Sequence, residues 1–251
     1  MKISETDIII TGGASGIGAG LVNSLKASAR NIIVIDIDSG NLAKFGMEQN
    51  VAAFTCDLTN PEQTKKTIAD VFYHFPDISI LINNAGKIHS ELMYNFLNKE
   101  EQTHSIQNWN KYLNVNLSST FYTTLFVVEK MIQSRTQGLI INISSISAKG
   151  NAGQSVYSAA KAGVDALTVA WSKELSCFGI RTAGIAPGFF NTESTTVALS
   201  ENILKKIIKE IPLRKLGELD DIEKAIRFII DNDYFNGKII ELDGGLVLSH
   251  R

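Results

Sequence analysis

Two runs near the start of this chain leave no polar face: Ile8-Ile9-Ile10 and Ile32-Ile33-Val34-Ile35. Successive side chains of a strand point to opposite sides. Such a run is therefore apolar on both sides, which suits a strand of a parallel sheet covered on both faces. Asp7–Thr11 and Asn31–Asp36 contain these runs, and residues 51–57, 78–84, 139–145, 181–186 and 238–243 form similar short segments. The stretches between them have helical period. Ile17, Leu21 and Leu25 recur every fourth residue and share a face. Asn60-Pro61-Glu62 has the form of an N-cap followed by proline at the first helical position. Strand and helix alternate throughout, so the expected class is α/β, with helices on both faces of a doubly wound, mostly parallel seven-stranded sheet. No linker, internal repeat or low-complexity stretch interrupts the pattern, and residues 1–251 are expected to form a single domain.

The chain has 251 residues, of which 44% are hydrophobic and 20% charged, enough to build a sizeable core. A net charge of −2 gives no electrostatic argument for nucleic acid or an anionic membrane as partner. No apolar run approaches the roughly 20 residues of a membrane helix, and residues 1–7 lack a signal-like apolar stretch. The cytoplasm is the expected location. Cys56 and Cys177 stand alone, and His74, His89, His104 and His250 show no H-x-x-x-H or Cys–His spacing, so no metal site is expected.

The first strand runs into Thr11-Gly12-Gly13-Ala14-Ser15-Gly16-Ile17-Gly18, and a helical segment follows. A chain that binds a pyrophosphate must turn sharply, bring its backbone close and aim a helix N-terminus at the negative charge. Placed between the first strand and an amphipathic helix, the loop predicts a Rossmann-type dinucleotide site formed by Gly12, Ser15, Gly16, Ile17 and Gly18. Asp36 ends the second strand, placed to accept hydrogen bonds from the adenosine ribose and to repel a 2′-phosphate. The residues after it, Ile37, Asp38 and Ser39, supply no cation. NAD is therefore the expected cofactor.

Tyr157 and Lys161 are four apart in a helical segment and share a face. A free phenol, with a pKa of about 10, is a poor base at neutral pH. A nearby ammonium lowers that value, so a tuned tyrosine can move a proton at a carbinol or carbonyl oxygen. Ser144 and Ser145 follow the strand that begins at Leu139, at the end where open α/β sheets hold ligands. Asn116 falls in a helical stretch, where an asparagine can equally pack against backbone.

In chain order, Thr11–Gly18, Cys56-Asp57-Leu58-Thr59, Asn83-Asn84-Ala85-Gly86, Asn116, the serine pair, Tyr157-x-x-x-Lys161, Pro187-Gly188 with Thr192, and Asp243-Gly244-Gly245 resemble the short-chain dehydrogenase/reductase family, including its bacterial 3-ketoacyl reductase-like members. The resemblance implies Tyr157 as catalytic acid/base. Lys161 would lower its pKa and bind the nicotinamide ribose. A serine would orient the substrate oxygen, and Asn116 would hold a water in a proton relay. Asp57 and Leu58 would meet the adenine, and Asn84, Ala85 and Gly86 would line the cleft. Pro187, Gly188, Phe190 and Thr192 would flank the nicotinamide. The long helices near 108–133 and 155–178 resemble those that pair subunits, implying a homodimer or homotetramer.

Two departures stand out. The family usually has thirteen positions from serine to tyrosine, which fits Ser144; counting along the strand instead favours Ser145, with one residue missing from the loop. Strand register fixes a side chain better than loop length does, so Ser145 is the expected catalytic serine. The stretch between Gly86 and Trp109 is longer than usual, either a solvated insertion or one that adds substrate contacts or an interface. Residues 191–211, with Thr195, Thr196, Val197 and Leu199, correspond to a lid over the substrate, and Phe189 and Phe190 suggest an apolar wall. The expected function is hydride transfer between NAD(H) and a secondary alcohol or ketone, a small-molecule substrate. The alternatives are an NADPH-dependent 3-ketoacyl reductase of fatty-acid synthesis and a non-catalytic dinucleotide sensor, which would be expected to have a broken catalytic set.

Overall fold

A computed structural model describes residues 1–192 and 200–248. Seven strands form one sheet: β1 (Asp7–Thr11), β2 (Asn31–Asp36), β3 (Val51–Thr55), β4 (Ile78–Asn83), β5 (Gly138–Ile143), β6 (Ile180–Pro187) and β7 (Ile239–Leu242). Their spatial order is β3-β2-β1-β4-β5-β6-β7, and every pairing between them is parallel. The order reverses direction between β1 and β4, the topological switch point at which such sheets open a crevice.

The helices are α1 (Gly16–Leu25), the short α2 (Ser39–Leu42), α3 (Pro61–His74), α4 (Ile106–Leu113), α5 (Ser119–Gln133), α6 (Ser155–Glu174), α7 (Glu201–Glu210) and α8 (Leu219–Asp231). They divide by the period-2 alternation of the strands. Ile8, Ile10, Ile32 and Val34 pack with Leu21, Val22 and Leu25 of α1 and Ile222, Ile226 and Ile229 of α8. Ile9, Ile33 and Ile35 face the other way, toward Ile68 and Val71 of α3 and Val127 and Met131 of α5. The fully apolar strands thus have both faces covered. Each isoleucine so buried contributes about 1.5–3 kcal/mol before entropy is counted. The doubly wound class is as expected.

Local signals placed the helices well. Asn60 caps α3 by accepting from Gln63 N at 3.1 Å, with Pro61 in its first turn. Strand limits differ by one or two residues at the C-terminal ends: residues 56–57, 84, 144–145 and 243 leave the ladder. Some backbone bonds continue past those ends, as Cys56 N donates to Asp36 O at 2.8 Å and Ser144 N to Ile185 O at 2.7 Å, while the chain is already turning. β6 is longer than expected at both ends. Among the described residues no helix is long and apolar enough to cross a membrane.

Candidate active site

β1 and β4 are stitched together where the sheet reverses. Thr11 Oγ1 accepts from Asn84 N at 3.0 Å and Ala85 N at 3.1 Å, and Asn84 Nδ2 donates to the carbonyls of Thr11 and Gly12 at 3.0 and 2.9 Å. Gly12 has φ +62, and a Cβ there would lie 2.7 Å from Ala85 Cα. A Cβ on Gly18 would strike the Gly12 carbonyl. Only glycine allows the turn and the helix to approach this closely. Ser15 is exposed at the N-cap of α1 and its hydroxyl makes no capping bond; Gly16 and Ile17 open the helix. The arrangement leaves an uncovered helix N-terminus beside a backbone cradle, which fits the pyrophosphate of a dinucleotide.

Asp36, at the end of β2, is held by two amides: Ala14 N donates to Oδ2 at 3.0 Å and Asp38 N to Oδ1 at 3.1 Å. Its carboxylate therefore sits against the glycine loop. Asp57 Oδ1 accepts from Thr59 N and Thr59 Oγ1 at 2.9 and 2.7 Å, and Leu58 beside it is buried. Gly188 packs on Asp243, where a Cβ would approach Cα to 2.9 Å, and Gly188 N donates to Leu242 O at 2.7 Å. Pro187, Phe190 and Thr192 are buried there, with Phe190 bridging to Gly217. Residues 193–199, including Thr195, Thr196, Val197 and Leu199, and also His250, lie outside the described residues.

A second group lies at the C-terminal end of β5. The Ser145 hydroxyl lies near enough to the Tyr157 phenol to lower its pKa, and Ser145 Oγ accepts from Ser147 N at 3.1 Å at the head of a 3-10 turn, Ile146–Lys149. Ser144 points elsewhere: its hydroxyl donates to Lys161 O at 3.3 Å and lies on the side of the Asp165 carboxyl, whose pKa it helps to lower. Lys161 Nζ lies 5.9 Å from the centre of the Tyr157 ring and donates to Ile143 O at 2.7 Å. A Cβ on Gly86 would lie 2.7 Å from Asn116 Oδ1 and 3.4 Å from Lys161 Nζ, so these three residues meet at one point.

The electrostatics differ from the sequence expectation. Desolvation pushes the Tyr157 phenol above its ordinary value, and only the Ser145 hydrogen bond pulls it back. Desolvation also lowers the Lys161 ammonium to about 8, opposed by the negative charge of Asp165. Lys161 is not among the causes that lower the phenol, and its ammonium donates to the Ile143 carbonyl. Asn116 lies in a π-helical turn, Asn114–Ser118, between α4 and α5. Its Oδ1 accepts from Lys87 N at 2.9 Å, and Nδ2 donates to the carbonyls of Lys87 and Tyr112, both at 2.9 Å.

Sequence reading missed a buried polar chain behind the site. Asn83 Nδ2 donates to Thr124 Oγ1 and Asn142 Oδ1, at 2.8 and 2.9 Å, and Asn142 Nδ2 donates to Thr168 Oγ1 at 2.8 Å. It ties β4 and β5 to α5 and α6, the helices flanking the catalytic group. The lone asparagine in Ile140-Ile141-Asn142-Ile143 was its signal.

A sequence model of the short chain dehydrogenase family matches residues 6–202. The 3-oxoacyl-acyl-carrier-protein reductase of Buchnera aphidicola subsp. Baizongia pistaciae is 36% identical, the match covering 99% of this chain and 100% of that one. The acetoacetyl-CoA reductase of a Synechocystis species is 33% identical over 97% of each chain. Human 3-hydroxyacyl-CoA dehydrogenase type-2 is 31% identical over 95% of this chain and 94% of its own. The chain belongs to the short-chain dehydrogenase family, oxidoreductases that act on hydroxyl or keto groups with a nicotinamide dinucleotide.

Proposed function

We propose that this chain transfers hydride between NAD(H) and the 3-hydroxy/3-oxo carbon of an acyl thioester, with Tyr157 as the general acid/base. The observation that carries the reading is the convergence at the end of β5 of Tyr157, Lys161 5.9 Å from its ring centre, and Ser145, close enough to lower the phenol's pKa. The bound dinucleotide would supply or accept the hydride. The protein moves the proton: Tyr157 donates it to the carbonyl oxygen in reduction and takes it back in oxidation, while the Ser145 hydroxyl orients that oxygen. Lys161, still protonated at neutral pH, places positive charge beside the ring and would hold the nicotinamide ribose of a bound dinucleotide. Asn116, whose side chain is fully occupied by the backbone of Lys87 and Tyr112, acts by holding the wide turn next to Lys161 and so keeps a path for a relay water.

Gly12, Ser15, Gly16, Ile17 and Gly18 would hold the pyrophosphate, Asp57 and Leu58 the adenine, and Asn84, Ala85 and Gly86 the cleft wall. Pro187, Gly188, Phe190 and Thr192 would hold the nicotinamide side. Asp36 favours NAD over NADP. The thioester class rests on the names of the three relatives, all of which act on acyl thioesters. A cytoplasmic homodimer or homotetramer belongs to the same proposal. NADPH-linked reduction is the second reading, favoured by the reductases among the relatives and opposed by the carboxylate at position 36.

Acetoacetyl-CoA with NADH, followed by loss of the reduced nicotinamide absorbance, is the direct assay. Tyr157→Phe should lower kcat about 10²–10⁴-fold with the circular dichroism spectrum and NADH binding retained. Retention of more than a tenth of the turnover would remove Tyr157 from the acid/base role.

A further inference from the structure

The segment between Gly86 and α4 is docked on the catalytic side of the molecule. Glu91 N donates to Gly153 O at 2.7 Å, in the loop that precedes Tyr157, and Lys87 grips Asn116. Tyr94 and Thr103 bridge in antiparallel sense, and His104 N donates to Met93 O at 3.1 Å, which brings residue 104 back beside residues 89–93. This fold-back gathers His89, Glu91 and His104. One ring nitrogen of each histidine and a Glu91 carboxylate oxygen all lie within 4.8 Å of one another.

We propose that His89, Glu91 and His104 bind a divalent transition-metal ion of the zinc class, which fastens this segment to the wall of the active site.

Four observations carry it. The donor set is two imidazoles and one carboxylate, the nitrogen-rich mixture that suits zinc and its neighbours rather than magnesium or calcium. The spacing is close to that of a coordination shell: His89 Nε2 lies 2.8 Å from Glu91 Oε2, and His104 Nδ1 lies 3.7 Å from the same oxygen. Ligand atoms about 2.0–2.2 Å from a tetrahedral ion are separated by roughly 3.4 Å, so side-chain shifts of about an ångström complete the shell.

The third observation is enclosure. The His104 side chain is only 7% exposed, and its Nδ1, the nitrogen that approaches Glu91, otherwise faces the Ser105 carbonyl at 3.1 Å. The fourth is support around the ligands. Glu91 Oε1 accepts from Ser105 N at 2.8 Å, Asn108 Nδ2 donates to Oε2 at 3.1 Å, and the His89 ring stacks on Tyr112 at 4.0 Å. Ligands oriented in this way by outer contacts are typical of metal sites. The His89 and Glu91 side chains keep 17% and 22% of their surface exposed, which leaves an entry path and a position for a water as fourth ligand.

On binding, the ion replaces any proton on His89 Nε2 and on His104 Nδ1, and each displaced proton moves to the other nitrogen of its ring or, where that nitrogen already carries one, to water. No electron transfer is involved. The site does not depend on the hydride-transfer reading.

The test uses the full, untagged chain, stripped with a chelator and dialysed. Titration with Co²⁺ should give the visible absorption of a nitrogen- and oxygen-ligated ion at one equivalent, and Zn²⁺ should displace it while excess Mg²⁺ does not. His104→Ala and Glu91→Gln should each weaken binding at least tenfold. His89→Ala, the more exposed histidine, repeats the test where His104→Ala disturbs folding. The exposed Cys177 is the competing ligand, and Cys177→Ser should leave the titration unchanged. Absence of a one-equivalent cobalt spectrum, or one abolished by Cys177→Ser and retained in the histidine variants, overturns the proposal.

Discussion

At the residue scale, the two neighbouring serines part company because consecutive side chains leave the end of a strand in opposite directions. Ser145 reaches the Tyr157 hydroxyl, while Ser144 turns to Lys161 O and Asp165. Ser145→Ala should therefore lower kcat about a hundredfold, within the usual range for a positioned acid/base partner. Ser144→Ala should change kcat by no more than a few-fold and cost about 1 kcal/mol of stability for the lost hydrogen bond to Lys161 O. Steady-state kinetics with urea unfolding on both variants checks this, and the reverse pattern would place Ser144 at the substrate. Lys161 makes a separate prediction. Its pKa falls from 10.5 in the free side chain to about 8 in the fold. The unfolded chain thus holds the extra proton between those two values, and stability from this group rises with pH across the window. The full rise is roughly 3 kcal/mol. Lys161→Met removes it. Between pH 7.5 and 9.5 the cofactor-free wild type should gain stability relative to the variant in urea unfolding, and a relative loss would contradict a desolvated ammonium whose pKa is lowered by burial.

At the scale of elements, the crevice is a product of β1, β2 and β4 ending together. Asp36 stands at this junction, tied to the glycine loop through Ala14 N. Its charge can discriminate a ribose hydroxyl from a 2′-phosphate only because β2 lies next to β1 in the sheet. Asp36→Ala should lower the NADH/NADPH ratio of kcat/KM roughly 10–100-fold, the value of one or two hydrogen bonds to a charged group. The ratio is insensitive to partial loss of folded protein, and an unchanged ratio would refute the assignment. Much of this level was legible in the sequence, because double-faced apolar runs and the glycine spacing are local. What was not legible arises from contacts between distant segments. The π-turn at Asn116 depends on bonds to Lys87, and the pairing of Asn83 with Asn142 depends on strand register. His89 and Glu91, two apart on an extended segment, share a side, but their partner His104 arrives only through the fold-back. The expected depression of the Tyr157 pKa failed for the same kind of reason: spacing on a helix shows proximity and says nothing of burial.

At the scale of the whole molecule, the apolar surface is unevenly spread. α5 exposes Phe121 and Leu125, 42% and 48% accessible and one turn apart, and the Phe121 ring lies 6.4 Å from that of Trp171 on α6. Ile106 and Trp109 of α4 and Val169 of α6 are exposed as well. Apolar side chains grouped on neighbouring helices mark an association surface more readily than the same residues scattered singly. A rival surface exists on the 87–105 segment, where Leu92, Met93, Phe96 and Leu97 are exposed. The two are separable. If α5 and α6 pair the subunits, light scattering should find a dimer or tetramer, and Phe121→Glu should raise its dissociation constant roughly 30–1000-fold, the consequence of losing about 2–4 kcal/mol at a central aromatic contact. Phe96→Glu should leave the assembly intact. A dissociated Phe96→Glu protein beside an intact Phe121→Glu protein would move the interface to the docked segment. There subunit contact would bear directly on the fold-back that gathers His89, Glu91 and His104, and assembly would govern how firmly that wall of the active site is held.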